Sequence, residues 1–185
     1  MKDTVKALVN SLAETMNERI KVTGLEPLFD EKDPGQLVMT DLILYAMYLT
    51  ASDGEVRESE AEKITENFGY KLNPVKIGKL IREYNLYSNE FESEVPISLE
   101  LLMQVDNAFH EQGLDKEPAE EVIVPICESV YRLFKDVTEL VITADGEVHE
   151  QEKADADIYL SMLNRFLDEK LDARNDPDKG ITKSE

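Results

Sequence analysis

Apolar residues recur along this chain at three- and four-residue spacing and show no convincing alternation, so the pattern predicts helices and no strands. Over residues 1–22, Val5, Leu8, Val9, Leu12, Met16 and Ile20 fall on one face of a first helix. Thr23-Gly24 suits its end, because glycine adopts the left-handed cap conformation without steric penalty. Pro27 and Asp33-Pro34-Gly35 mark a loop over 26–34. Asp33-Pro34-Gly35-Gln36 has the form of a capping box and opens a second helix over 36–51. Leu37, Val38, Leu42, Ile43, Tyr45, Ala46, Tyr48 and Leu49 make that helix apolar nearly all round, which predicts a central position.

A third helix is expected over 57–68, with Ala61, Ile64 and Phe68 inward. A fourth, over 74–84, is capped by Asn73-Pro74 and faces the core with Val75, Ile77, Leu80 and Ile81. Residues 85–95 read as an acidic loop, and Ser98 as the cap of a fifth helix over 99–111 that Gly113 ends. Residues 115–144 form a second long helical stretch, with Pro118 in its first turn and Pro125 either kinking it or delaying its start. A last helix over 150–171 is expected to bury Ala154, Ile158, Tyr159, Met162, Leu163 and Phe166. The fold class is all-α, a compact bundle of about seven helices. It reads as one domain over 1–171, with 172–185 as a polar, disordered tail.

One short stretch occurs twice. Thr50-Ala51-Ser52-Asp53-Gly54-Glu55-Val56 and Ile142-Thr143-Ala144-Asp145-Gly146-Glu147-Val148 stand 92 positions apart. Each follows an apolar helix and leads into an acidic one, and each carries a Glu seven residues after its Asp: Glu60 after Asp53, Glu152 after Asp145. The chain therefore reads as two pseudo-symmetric helix–acidic turn–helix halves, over about 36–70 and 118–171.

Composition narrows the function classes. A formal net charge of −20 excludes a nucleic-acid binder, which needs Lys and Arg to displace counterions from phosphate, and it disfavours docking on an anionic membrane. It permits cation binding or a basic protein partner. A single cysteine, Cys127, excludes an intrachain disulfide, and its apolar neighbours predict a packed thiol. Residues 1–12 are interrupted by Lys2, Asp3, Lys6 and Asn10, so no signal-peptide core is expected there, nor does any apolar run reach membrane-spanning length. The expected compartment is the cytoplasm.

Two readings of the repeated turn stand side by side. In the structural one, Gly ends the first helix of an αα-hairpin, acidic side chains suit the positive end of the second, and Val56 and Val148 pin the turn to the core. In the functional one, Asp53, Glu55 and Glu60 converge on a divalent cation as the chain reverses. Asp145, Glu147 and Glu152 do likewise, with His149 as a nitrogen donor that would favour a transition metal or zinc. The turns are not EF-hand loops. Placing Gly54 at loop position six puts Leu49 and Ala51 where carboxylates belong, and the second copy fails in the same way with Val141 and Thr143. For catalysis the sequence offers little: two histidines, His110 and His149, and no phosphate loop, HExxH, CxxC or nucleophile elbow.

The stretches Leu49-Thr-Ala-Ser-Asp-Gly-Glu-Val56…Glu60 and Val141-Ile-Thr-Ala-Asp-Gly-Glu-Val148…Glu152 resemble the A-D-G-x-V…E signature of the TerB-like tellurite-resistance family. The resemblance covers about 40–64 and 138–163. It implies an all-helical fold of about seven helices with an internal repeat, a cytoplasmic bacterial protein tied to tellurite and stress resistance, and metal contacts at Asp53, Glu60, Asp145 and Glu152. The chain departs from the family pattern at Arg57 and His149, where a Ser, Thr or Asp cap is usual, and residues 85–96 are an elaboration. The function expected is non-enzymatic: a stress-associated binding protein that holds a divalent cation at its acidic turns, with no other cofactor. The alternative is an acidic protein-interaction module, such as an immunity or adaptor protein, that neutralises a basic partner without any metal.

Overall fold

Local caps decide where the first helices begin and end. The structure, a computed structural model, describes residues 4–86, 89–115, 123–144, 146 and 149–172. Thr4 Oγ1 accepts the Ala7 amide at 3.2 Å to open α1 (Val5–Thr23). Gly24, at φ 73°, closes it, and the Leu25 amide returns to the Ile20 carbonyl at 3.1 Å. After a 3₁₀ turn (Glu26–Phe29), Asp33 Oδ1 accepts the Gln36 amide at 2.8 Å and Pro34 takes the first turn of α2 (Pro34–Ala51). Then come α3 (Glu58–Phe68) and α4 (Pro74–Glu83), the latter capped by Asn73 through the Lys76 amide at 2.9 Å. A five-residue α5 (Asn89–Ser93), α6 (Ile97–Glu111), α7 (Ile126–Ile142) and α8 (Glu150–Asp172) complete the order. The fold is all-α, with seven substantial helices and no strand among the described residues.

Because α2 is apolar on every side, it is stable only when surrounded. Val38, Leu42, Tyr45, Ala46 and Leu49 are fully buried, and α1, α6 and α7 pack around them. Its neighbour α7 has a single apolar face, formed by Ile126, Val130, Phe134, Val137 and Val141, with Cys127 buried beside it. Tyr45 and Tyr48 of α2, Phe91 of α5, Phe134 of α7 and Tyr159 of α8 stack into one aromatic cluster that joins four helices. The helices that open the two repeat halves, α2 and α7, lie against each other, and Arg57 and Glu152, which follow their respective turns, meet at 3.9 Å at one end of the bundle.

Two helices begin in a way the sequence did not announce. Both α6 and α7 start directly after a proline, Pro96 and Pro125, and neither proline has a side chain able to cap. Each helix receives its cap from an aspartate on another helix. Asp41 Oδ2 accepts the Ser98 amide at 2.9 Å, and Asp106 Oδ2 accepts the Cys127 amide at 2.9 Å. Asp106 also pairs with Arg19 of α1 at 3.0 Å, and Arg19 donates to the Val124 carbonyl at 3.1 Å and lies over the Phe109 ring. Three helices are locked together at that point.

Several expectations need correction. Ser98 does not cap α6, which begins at Ile97. Of the two outcomes expected at Pro125, the delayed start is the one found: residues 123–125 are not helical, and α7 begins at Ile126, directly after a proline that lacks an amide hydrogen. Pro118 lies outside the described residues. The expected loop at 85–95 contains α5. Val75 is 80% exposed, leaving Ile77 and Ile81 to bury α4. On α8, Ala154 and Ile158 face solvent, and the buried residues are Glu152, Asp155, Ala156, Tyr159, Leu163 and Leu167. The tail expected from 172 onwards falls, after Asp172, outside the described residues. Among the described residues no helix is long and apolar enough to cross a membrane.

Candidate cation site where the two halves meet

The first acidic turn is shaped by its own short-range bonds. Gly54 sits at φ 82° with its amide bonded to the Ala51 carbonyl at 3.0 Å, a conformation that favours a residue without a Cβ; Gly146 has the same φ in the second turn. Asp53 Oδ1 accepts the Glu55 amide at 2.9 Å, and Asp53 Oδ2 takes a 2.5 Å bond from Arg57 Nη2. Glu60, at the third position of α3, reaches back so that its Oε2 accepts the Arg57 amide at 2.7 Å. Sequence alone gave no reason for Arg57 to be central.

Glu152 holds the equivalent third position of α8, and His149 precedes that helix as Arg57 precedes α3. The structure joins these equivalents rather than keeping them apart. The Glu60 and Glu152 side chains are only 2% and 1% exposed and hydrogen-bond each other. The Arg57 guanidinium stands over both, its Nη1 3.7 Å from Glu60 Oε1 and 3.9 Å from Glu152 Oε1. Glu55 is 3.7 Å from the same guanidinium, but its side chain is 76% exposed and lies at the rim. Instead of two sites, one per turn, the described residues form one shared cluster of Asp53, Glu60 and Glu152 around Arg57. Asp145 and Glu147, the remaining candidates, lie outside the described residues.

Two buried carboxyls in contact cannot both ionise cheaply. Burial raises Glu152, the Glu60 charge and hydrogen bond raise it further, and the His149 charge opposes them, leaving it at about 7. Glu60 is also raised by burial, against the Arg57 amide, the hydrogen bond from Glu152 and the Arg57 charge. Both carboxyls are thus pushed upward, and the pair holds a proton towards neutral pH. For Asp53, burial would act upward, but the Glu55 amide, the Arg57 bond and charge and the His149 charge outweigh it and hold the carboxyl low.

No family model, curated protein or solved structure matches the chain. Among the described residues no three His, Cys, Asp or Glu side chains are grouped as ready metal ligands. A hard cation wants about six oxygens at 2.3–2.6 Å if it is calcium, and a guanidinium now occupies the middle of the carboxylates. Chemically the cluster is a cation seat filled by a tethered side chain, with one exchangeable proton. The signal that could have exposed it was positional. Glu60 and Glu152 are repeat equivalents on helices that follow two mutually packed partners, so they were bound to approach one another.

Proposed function

We propose that this chain is a non-enzymatic, TerB-like, stress-associated binding protein of the cytoplasm whose shared carboxylate cluster takes up a divalent cation. The observation that carries the reading is the burial of Glu60 and Glu152, one from each half, against each other beside the Arg57 guanidinium. Such an arrangement is costly for its own sake and is relieved by a bound cation. Binding would release the Glu152 proton, so affinity should rise as pH increases through about 7.

Thermal unfolding with calcium, magnesium, manganese and zinc, against a chelator control, tests this directly. At one hundred times the dissociation constant the folded state gains about 2.7 kcal/mol, or roughly 8 °C. The shift should saturate for one ion, vanish in Asp53→Ala and Glu152→Gln, and grow in Arg57→Gln, which vacates the seat. A weak response shared by every divalent ion and unchanged in these variants means only charge screening.

A second reading keeps support from Arg57 itself, which already neutralises the cluster without a metal. In that case the turns are structural, and the acidic surface engages a basic protein partner. Capture of such a partner should then fall steeply with ionic strength. A complex insensitive to salt would rule out this electrostatic form of recognition.

A further inference from the structure

Helix α8 carries more apolar surface than the core uses. Tyr159, Leu163 and Leu167 are buried, whereas Ile158 is 53% exposed and Met162 and Phe166 are only partly covered. Ile158, Met162 and Phe166 form one i, i+4 row along the helix. Beside it runs a second row, Lys153, Asp157, Ser161, Arg165 and Glu169, exposed at every position. Among the described residues the four charged side chains of that row form no salt bridge and no hydrogen bond.

The charged row stands between two open grooves. One, of about 690 Å³, runs towards Tyr131 of α7, and the other, of about 750 Å³, towards Glu92 and Ser93 of α5. Asp157, Ser161 and Arg165 line both, so the row is a ridge with a groove on either side. Two helices pack when such i, i+4 ridges of each enter the grooves of the other, with their axes about 50° apart.

The order of charges in the ridge selects the occupant. Asp157 and Arg165 lie one helical turn to either side of Ser161, and Lys153 and Glu169 lie two turns to either side. Turned end for end about Ser161, the ridge therefore sets Asp157 opposite Arg165 and Lys153 opposite Glu169, so that every charge meets its opposite. A parallel copy in register would set like against like. In a two-fold contact each such pair forms twice, and the small Ser161 at the axis lets the helices approach.

We propose that the exposed face of α8 docks a second copy of this chain, packed antiparallel about a two-fold axis at Ser161. Asp157 of each copy pairs with Arg165 of the other, Lys153 and Glu169 close the two ends, and the row of Ile158, Met162 and Phe166 is covered. Each copy carries a formal net charge of −20, which keeps the dimer weak and exchanging with monomer. At physiological ionic strength charges more than about 8 Å apart are largely screened, which removes most of that repulsion and spares the contacts at the seam. The surface is separate from the carboxylate cluster, to which α8 contributes its buried Glu152.

Sedimentation equilibrium of the full chain over a range of concentrations, at physiological ionic strength, tests the proposal. The parent should show a reversible monomer–dimer equilibrium. Asp157→Arg alone sets two positive groups together at both contacts, and Arg165→Asp alone sets two negative groups together. Each should weaken dimerisation about tenfold or more. An equimolar mixture of the two variants restores opposite charges at both contacts and should dimerise like the parent, as should the double variant Asp157→Arg/Arg165→Asp. Both positions are exposed, and recovery on mixing separates a lost contact from a lost fold. A parent chain that stays monomeric at every concentration overturns the proposal. So does a dimer that either single variant leaves unchanged, or a loss that mixing does not reverse.

Discussion

Replacing Glu152 by Gln should raise the thermal midpoint at pH 8 by about 6 °C, an unusual gain for a change at a buried charged position. Glu152 stays protonated up to about 7 in the folded chain, against an ordinary value of 4.5. A carboxyl whose folded value is raised lends full stability below its unfolded value and loses it as pH rises through the folded one. The window is therefore pH 4.5 to about 7, and the loss across it is on the order of 3 kcal/mol. Glu60, raised by the same burial, works in the same direction, whereas Asp53, held low, loses its contribution only in more acid solution. Glutamine imitates the protonated form: it cannot ionise, yet it still donates to Glu60. The variant should match the parent near pH 4, exceed it by about 3 kcal/mol at pH 8, and show a flatter stability profile between. Chemical unfolding across that range measures this. A variant that is less stable at pH 8 would mean that both carboxylates are ionised there and held by Arg57, and the shared proton would have to be abandoned.

Asp106→Ala should produce the largest loss, about 3–5 kcal/mol, lowering the midpoint by about 10 °C. Its side chain is 1% exposed and serves two helices at once, pairing with Arg19 and accepting the Cys127 amide. Removing it leaves the Arg19 charge, 13% exposed, without that partner, and the first turn of α7 without its cap. The two effects separate by substitution. Asp106→Asn keeps an oxygen for the amide and should recover about 1 kcal/mol of the loss. The Arg19→Met/Asp106→Leu pair removes both charges and should recover most of the electrostatic part, leaving the missing cap. Additive single and double effects in that cycle would show that the pair is not coupled in the folded chain.

The errors in reading the chain have a common origin. The apolar period located α1, α2, α3 and α7 because each buries one clear stripe or, in α2, every side. It misjudged α8, where Ile158 is 53% exposed while Glu152 and Asp155 lie inside. Ranking residues by hydrophobicity cannot place a buried glutamate, because its partner, Glu60, sits 92 positions away. Val75 failed for a related reason: it was expected on the core face together with Ile77, Leu80 and Ile81, and the packing of α4 fully buries only Ile77 and Ile81. The proline starts of α6 and α7 were visible as prolines, but not as helix ends capped from elsewhere by Asp41 and Asp106.

By itself, then, the sequence determined what depends on neighbours along the chain: the all-α class, the caps at Asp33 and Asn73, the central role of α2, and the repetition of an acidic turn. Those features arise from backbone geometry and apolar period, both of which act within a few residues. Only the tertiary structure decided that Glu60 and Glu152, one from each half, meet beside Asp53, and that Arg57 lies among the three carboxyls. Carboxylates repel and are solvated when distant, and they share a proton only when burial forces them together. That force comes from the packing of α2 against α7, which a linear pattern of residues does not contain.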